Sequence, residues 1–235
     1  MLKLNDASNF RRTALGLCLI AGPLVTIAGG LVTPWEESDK VASYLAAMAG
    51  SPIRAQVSAV LLYFGYLLIA VGIFGMMCLL KRRAVVLDHV AGVLAIWGWV
   101  TLPGLLSVDF YDLSLGQAAN REEAIVISER AGEYPGAAVL DFPVLVGFLG
   151  LVLLCVALWR ARFAPAWVPV VLVAGLVVTF VTPPAAVSFT IGFGLMFAAL
   201  GYVGIGILRM SDEEWEQGTS LAPEPVVAEA RPQAQ

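Results

Sequence analysis

Three carboxylates border long apolar segments of this sequence, and they are the first candidates for chemistry. Asp109 and Asp112 are three residues apart, so they share one face if the helix before them continues. Two carboxylates held together can shift each other's pKa or bind a cation. In a simpler interpretation, Asp109 ends its segment in water and Asp141 caps a helix ahead of Pro143.

A second group of aromatic and hydroxyl side chains falls at a similar depth in other apolar segments. It can line a shallow outward-facing cavity beside a bend at Pro103 and Gly104. Alternatively, the hydroxyl groups bond to carbonyls of their own helices. With the carboxylates and a neighbouring tyrosine, the predicted ligand-binding residues are Asp109, Tyr111, Asp112, Asp141, Trp97, Trp99, Thr101, Ser188 and Thr190.

The sequence predicts no metal site and no cofactor. His89 is the only histidine, and motifs such as HExxH, GxSxG, CxxC and the Walker loop are absent. Asp88, beside His89, is expected to form a structural ion pair with Arg82, Arg83 or Arg160 rather than a proton relay. No residue is assigned a catalytic role at this stage.

Composition places these residues in a membrane protein. The 235-residue chain is 59% hydrophobic and 14% charged, against roughly 45–50% and 25% in soluble domains. Its mean hydropathy is +0.84. The net charge of -4 and the lack of a basic stripe argue against a nucleic-acid partner. The remaining predicted partners are the lipid bilayer, another membrane protein or a second copy, and a small apolar or cationic ligand.

The apolar residues form six runs, and each is expected to be a transmembrane helix because lipid cannot satisfy backbone hydrogen bonds. The predicted fold is therefore an all-α, six-span bundle over residues 1–210, followed by a disordered acidic tail over 211–235. Lysine and arginine concentrate at alternate ends of the runs, which predicts that both termini are cytoplasmic. The runs are 13–34, 56–80, 84–108, 138–159, 163–183 and 185–208.

Two short amphipathic helices are predicted in the outer loops. One covers residues 39–49 with Ser38 as its cap, and the other starts at Asn120 and ends near Ala131. They can cover a cavity as a lid or lie in the headgroup plane.

Glycines and cysteines within the runs predict packing rather than chemistry. Glycines leave flat helix faces for close contact, whereas the cysteines Cys18, Cys78 and Cys155 behave as small apolar side chains. The glycines concerned are Gly65, Gly72, Gly75, Gly192, Gly194, Gly201, Gly204 and Gly206.

Three stretches resemble small six-span membrane proteins of unknown function from high-GC, actinobacterial-type bacteria. They are LIAGPLVTIAGGLVTPWE, SYLAAM with SPIRAQ, and LLSVDFYDL. The resemblance implies a bacterial inner (plasma) membrane protein but no activity.

Two functions are compatible with these observations. The first is a non-enzymatic, permease-like or accessory subunit that binds a small apolar or cationic ligand from outside. The alternative is an enzyme for a lipid-like substrate, with Asp109 or Asp112 as acid or base and Tyr111 assisting. If Asp109, Asp112 and Asp141 shared one enclosed pocket, the enzyme would be favoured. A purely structural partner of another membrane protein is a third possibility.

Overall fold

The computed structural model describes residues 6–36, 38, 40–80, 85–183 and 185–217. This part of the chain is helical and contains no strand. The helices, in chain order, are α1 Ala7–Val32, α2 Val41–Gly50, α3 Pro52–Leu80, α4 Val85–Leu105, α5 Val108–Gly116, α6 Arg121–Glu133, α7 Pro135–Arg160, α8 Trp167–Val181, α9 Ala186–Arg209 and α10 Asp212–Gln217.

Among the described residues, five helical segments are long and apolar enough to cross a membrane, as expected for a multi-pass membrane protein. They are α1, α3, α4 with its continuation α5, α7 and α9. The predicted fifth run forms only the 15-residue helix α8, about 22 Å long at 1.5 Å per residue. Its length is limited by the turn after α7, where Arg162 has a φ of 63°, and by Pro183 beyond its end.

Neighbouring long helices are antiparallel, as their contacts show: residues near the start of one helix contact residues near the end of the next. Along α1, Gly22 lies against Ile69 of α3, and Gly29 lies against Leu62. The start of α1 contacts the end of α9 between Gly16 and Gly204. The pairs α4–α7 and α8–α9 are antiparallel in the same way. The ends of α1, α7 and α9 that carry arginine therefore share one end of the bundle, called the basic end below. The opposite end, where Arg54 of α3 donates to the Val32 carbonyl of α1, is the mouth.

Glycine backbones form the tightest helix contacts. A methyl group at Gly98 would collide with the Pro143 carbonyl and the backbone of Gly147, and one at Gly150 would collide with Ala95. The prediction of close packing is confirmed at most of the named positions, namely Gly65, Gly72, Gly75, Gly192 and Gly204. The prediction is wrong for Gly194, which faces open space. Gly201 is buried, and the atoms nearest to it belong to Phe197 of its own helix.

At the mouth, α2, α5 and α6 pack into a small layer, called the cap below. Buried Leu45 and Met48 of α2, with Leu113 of α5 and Ala124 of α6, face one another. Helices form at both predicted loop positions, and Asn120 caps α6 by accepting a hydrogen bond from the Glu123 N–H at 3.3 Å. Ser38 does not cap α2, whose N-cap residue is Lys40 without a side-chain bond.

At the basic end, the chain after α9 folds back instead of leaving the bundle. Buried Arg12 of α1 donates to Asp212 at 2.9 Å and to the Leu208 carbonyl at 2.9 Å, and Trp215 of α10 is buried. The predicted tail therefore begins with a docked helix rather than a disordered segment. Its remaining residues, 218–235, lie outside the described part of the chain.

Cysteines fill space within these helices. Cys155 of α7 is fully buried, whereas Cys18 and Cys78 are partly buried.

We expect Gly98→Ala to destabilise the protein by about 2 kcal/mol, because overpacking forces α4 and α7 apart. Gly104→Ala in the same helix meets no atom within 4 Å and should leave stability unchanged or slightly raised. The free energy of unfolding of each variant is measured in mixed micelles and compared with that of the wild-type protein. Equal stabilities of both variants would contradict the tight α4–α7 contact.

We also expect Arg12→Ala to release α10, because it removes the ion pair with Asp212 and the bonds to α9 carbonyls. Limited proteolysis should cut after Arg209 faster in this variant than in wild type. Arg11→Ala, which changes the exposed neighbouring residue, is the control and should cut at the wild-type rate.

Candidate functional site

The cap brings a tyrosine of α2 against two carboxylates of α5. After a turn at Leu106 and Ser107, α5 starts with Asp109 in its first turn. The Tyr44 hydroxyl donates a hydrogen bond to Asp109 Oδ1 at 3.3 Å. Asp112 lies one turn further on the same face, as the three-residue spacing predicted, and it also faces Tyr44.

Asp112 of α5 interacts with side chains of both other cap helices. The hydroxyls of Tyr44 and of Ser128 on α6 both lie beside its carboxylate. Asp109 and Asp112 are partly buried, and no lysine or arginine in the described ranges forms an ion pair with either of them. Within the described ranges, the cap therefore holds two partly buried carboxylates without a basic partner.

Tyr44 stays protonated in this environment. Burial raises the pKa of the Tyr44 hydroxyl far above its ordinary value, and the nearby charges of Asp109 and Asp112 raise it further. Tyr44 is thus a hydrogen-bond donor at every physiological pH. Its hydroxyl donates a hydrogen bond to the Asp109 carboxylate and does not act as an acid in this pH range.

On the bundle side of Asp109 lies a cluster of three aromatic side chains, Tyr66, Trp99 and Phe193. Tyr66 of α3 is 8% exposed, and its hydroxyl is within electrostatic range of the Asp109 carboxylate. Its ring contacts Trp99 with centroids 5.8 Å apart and Phe193 with centroids 6.2 Å apart. Trp99 is 1% exposed, and its indole Nε1 has no hydrogen-bond acceptor among the described residues. An unpaired donor and a buried phenol therefore lie below the carboxylate pair.

Several predicted site residues lie elsewhere. Tyr111 is 73% exposed because it falls between the two aspartates on another face of α5. Trp97 and Trp99 are two positions apart, and residues at that spacing do not share a helix face. Trp97 accordingly points outward and contacts Phe142 of α7 with ring centroids 6.5 Å apart. The predicted cavity that both tryptophans line is not formed.

Asp141 is separated from the other carboxylates. It lies inside α7, which begins at Pro135, so it neither caps this helix nor joins Asp109 and Asp112. Instead it lines an open groove with Leu105 and Phe142. The three-carboxylate pocket that would favour an enzyme is therefore absent from the described structure.

Most of the predicted hydroxyl groups bond within their own helices or adjoining turns, as the alternative interpretation expected. Thr101 donates to the Trp97 carbonyl at 2.8 Å, and Ser188 donates to the Pro183 carbonyl at 2.8 Å. Thr190 differs, because its buried hydroxyl has no partner in the described residues. These three side chains do not form a common lining.

The predicted ion pair of Asp88 does not form with Arg160, the one proposed partner that lies in the described part of the chain. Asp88 is 3% exposed, and its Oδ1 has no hydrogen-bond partner among the described residues. Its proposed partners Arg82 and Arg83 lie outside the described residues. His89 Nδ1 lies 2.6 Å from the Val85 carbonyl of the preceding turn.

Sequence reasoning missed the residues that complete the cap site. Helical spacing places Tyr44 on the apolar face of α2 with Val41, Leu45 and Met48, so the pattern predicts packing and does not reveal a partner for its hydroxyl. No sequence motif or spacing marks Tyr66 or Ser128 as site residues, because their roles depend on contacts between helices that are distant in sequence. Within the described ranges, no three His, Cys, Asp or Glu side chains lie close enough to hold a metal ion.

We expect Tyr44→Phe to destabilise the protein by about 1–2 kcal/mol, because it leaves the partly buried Asp109 without its donor. Tyr111→Phe removes the same hydroxyl from an exposed position and should change stability by less than about 0.5 kcal/mol. Chemical unfolding in detergent measures both. A loss of similar size in both variants would show that the Tyr44 bond does not support the cap.

Comparison with known proteins supplies no family for this chain. No protein-family model matches it, and neither a curated protein nor a solved structure matches it significantly. The arguments about function consequently rest on the geometry of the cap and the bundle.

Proposed function

We propose that the protein is a bacterial plasma-membrane protein that binds a small cation at its outward-facing mouth, as a permease-like or accessory subunit without catalysis. In this proposal six helices cross the membrane, and both termini are cytoplasmic. The binding site consists of Tyr44, Asp109 and Asp112.

The observation that carries the proposal is the pair of carboxylates within the cap, which no basic side chain in the described ranges neutralises. Tyr44 donates to Asp109, and Asp112 lies one turn away with no basic partner in the described ranges. Partly buried charges of one sign are costly unless a charge of opposite sign pairs with them. A cation that enters from water supplies that charge, and the carboxylate and phenol oxygens serve as its ligands.

Binding is favoured over catalysis because the other proposed acid–base groups do not converge on this pair. Tyr111 is exposed, and Asp141 lies in another groove. Tyr44 keeps its proton at physiological pH, since burial raises its pKa. The remaining groups suit electrostatic and hydrogen-bonding recognition of a ligand.

Six crossings are supported by the directions of the helices. α7 ends at Arg160 on the basic end, while α9 starts at the mouth and runs back to Arg209. α8 connects these two ends and packs antiparallel to α9, with Gly175 against Gly192. A helix shorter than the hydrocarbon core of about 30 Å is accommodated by local thinning or by flanking residues.

Cytoplasmic termini are supported by the distribution of arginine. The basic end carries Arg11, Arg12, Arg160, Arg162 and Arg209, and such residues collect on the cytoplasmic side of membrane proteins. The cap and its carboxylates then face outward.

Labelling with a membrane-impermeant thiol reagent tests this topology. In a variant without the three native cysteines, we expect Glu122→Cys to react in intact cells. Arg231→Cys should react only after permeabilisation. Reaction of both positions from the same side would overturn the threading.

Thermal unfolding tests the cation site, with sodium, potassium and tetramethylammonium chloride compared at constant ionic strength. We expect one of these cations to raise the unfolding midpoint of the wild-type protein by about 2–4 °C. Asp109→Asn with Asp112→Asn should abolish the cation-specific shift, because the variant lacks both charges.

Asp141→Asn, which neutralises a carboxylate outside the cap, is the matched control and should retain the shift. The proposal fails if no cation stabilises the wild-type protein selectively, or if the double variant responds as the wild type does.

A further inference from the structure

An isolated carboxylate, Asp141, lies in an apolar groove between α4 and α7, apart from the cap site. We propose that this groove is a second binding site, and that it takes an amphipathic cation: a molecule with an ammonium head and a hydrocarbon chain. The head pairs with Asp141, and the chain lies along the groove. This inference does not depend on the function proposed for the cap.

The groove exists because two tightly packed helices separate at one end. α4 and α7 are in backbone contact at Gly98 and Gly147. Closer to the mouth, α4 ends at Leu105, while α7 continues to Pro135. The space that opens there measures about 480 Å³, within the range of about 300–1,000 Å³ typical of small-molecule sites. Its lining consists of Leu105, Ala138, Asp141, Phe142, Val144 and Leu145.

The surroundings of Asp141 are apolar and face outward. Val139 is 70% exposed, Phe142 is 59% exposed and Leu145 is 63% exposed. In a membrane-spanning helix, exposed apolar side chains of this kind contact lipid. Asp141 is six residues, or about 9 Å, along α7 from its first residue. The carboxylate is therefore near the level where headgroups meet hydrocarbon chains.

The Asp141 carboxylate has no positive charge beside it in the described part of the chain. Among the described residues it forms neither a hydrogen bond nor an ion pair, and no basic side chain lines the groove. Ionisable side chains at membrane depth are rare, and they usually pair with another group or face a water-filled cavity. An unpaired carboxylate among lipid-facing side chains thus calls for a positive group from outside the chain.

Charge and shape together select the occupant. The single carboxylate complements one positive charge, and the five other lining residues complement a hydrocarbon chain. An anionic amphiphile would bring a second negative charge beside Asp141. A small hydrophilic cation would leave the apolar walls without contacts. An amphipathic cation satisfies both parts of the groove.

Trp97 provides a direct reporter for the groove. Its ring contacts Phe142, one of the lining residues, with centroids 6.5 Å apart, and the side chain is 50% exposed. A brominated hydrocarbon chain in the groove should therefore quench the fluorescence of Trp97. Trp99 lies on the opposite face of α4 and is buried in the core.

The experiment uses the full-length protein in neutral-detergent micelles and three single-chain amphiphiles with the same brominated chain. Their heads are trimethylammonium, a neutral sugar and sulfate. The quenching contributed by Trp97 is the difference between the wild-type protein and Trp97→Phe. We expect half-maximal quenching at about fivefold lower concentration for the trimethylammonium compound than for the neutral one.

Asp141→Asn should abolish this fivefold preference while it retains the quenching by the neutral compound, because the apolar walls are unchanged. Asp109→Asn, which neutralises a carboxylate of the cap, should keep the preference. Leu145→Phe should weaken the quenching of Trp97 by all three compounds, because a larger side chain fills the groove. Circular dichroism verifies that each variant is folded.

Three results would overturn the inference. Equal quenching by the three head types would identify the groove as ordinary lipid-facing surface. A preference that survives Asp141→Asn would place the charge recognition elsewhere. A preference lost in Asp109→Asn but kept in Asp141→Asn would assign the cation to the cap, in support of the first proposal alone.

Discussion

Contact between helix backbones at glycine is the constraint on which the rest of this structure depends. Lipid is as apolar as the helices, so side-chain burial drives their association much less than it does in water. Gly98 against Gly147 joins α4 to α7, and Gly22 against Ile69 joins α1 to α3. A residue with a side chain at these places would separate the helices. The positions of the other groups, including the cap and the groove, follow from these few contacts.

The cap is connected to the bundle by a short interruption between α4 and α5. α4 ends at Leu105 and α5 starts at Val108, which turns Asp109 and Asp112 beneath α2. The same break leaves the mouth end of α7 without α4 beside it, and Asp141 lies there. One interruption of a long apolar segment therefore creates two different environments for carboxylates. The first is partly buried and lies beside hydroxyl groups, whereas the second is open and lined by hydrocarbon.

Properties that depend on neighbouring residues could be predicted from the sequence, and properties that depend on distant contacts could not. The helical character, the cap residue Asn120 and the shared face of Asp109 and Asp112 follow from spacing alone. The bond from Tyr44 to Asp109 joins residues 65 positions apart. Hydropathy also overestimated α8, because an apolar run does not reveal where turns shorten its helix. Asp141 was misjudged for a related reason, since α7 starts earlier than the apolar run suggested.

The contact between α1 and the last helices has a consequence for how the protein is made. α1 is synthesised first, but one of its sides packs against α9 and its buried Arg12 pairs with Asp212. Until α9 and α10 leave the ribosome, that side has only lipid or the insertion machinery beside it. A chain interrupted before residue 186 would keep an arginine without its acceptors and a strip of bare glycine backbone. Synthesis of the C-terminal helices therefore marks the point at which this side of α1 can be buried within the protein.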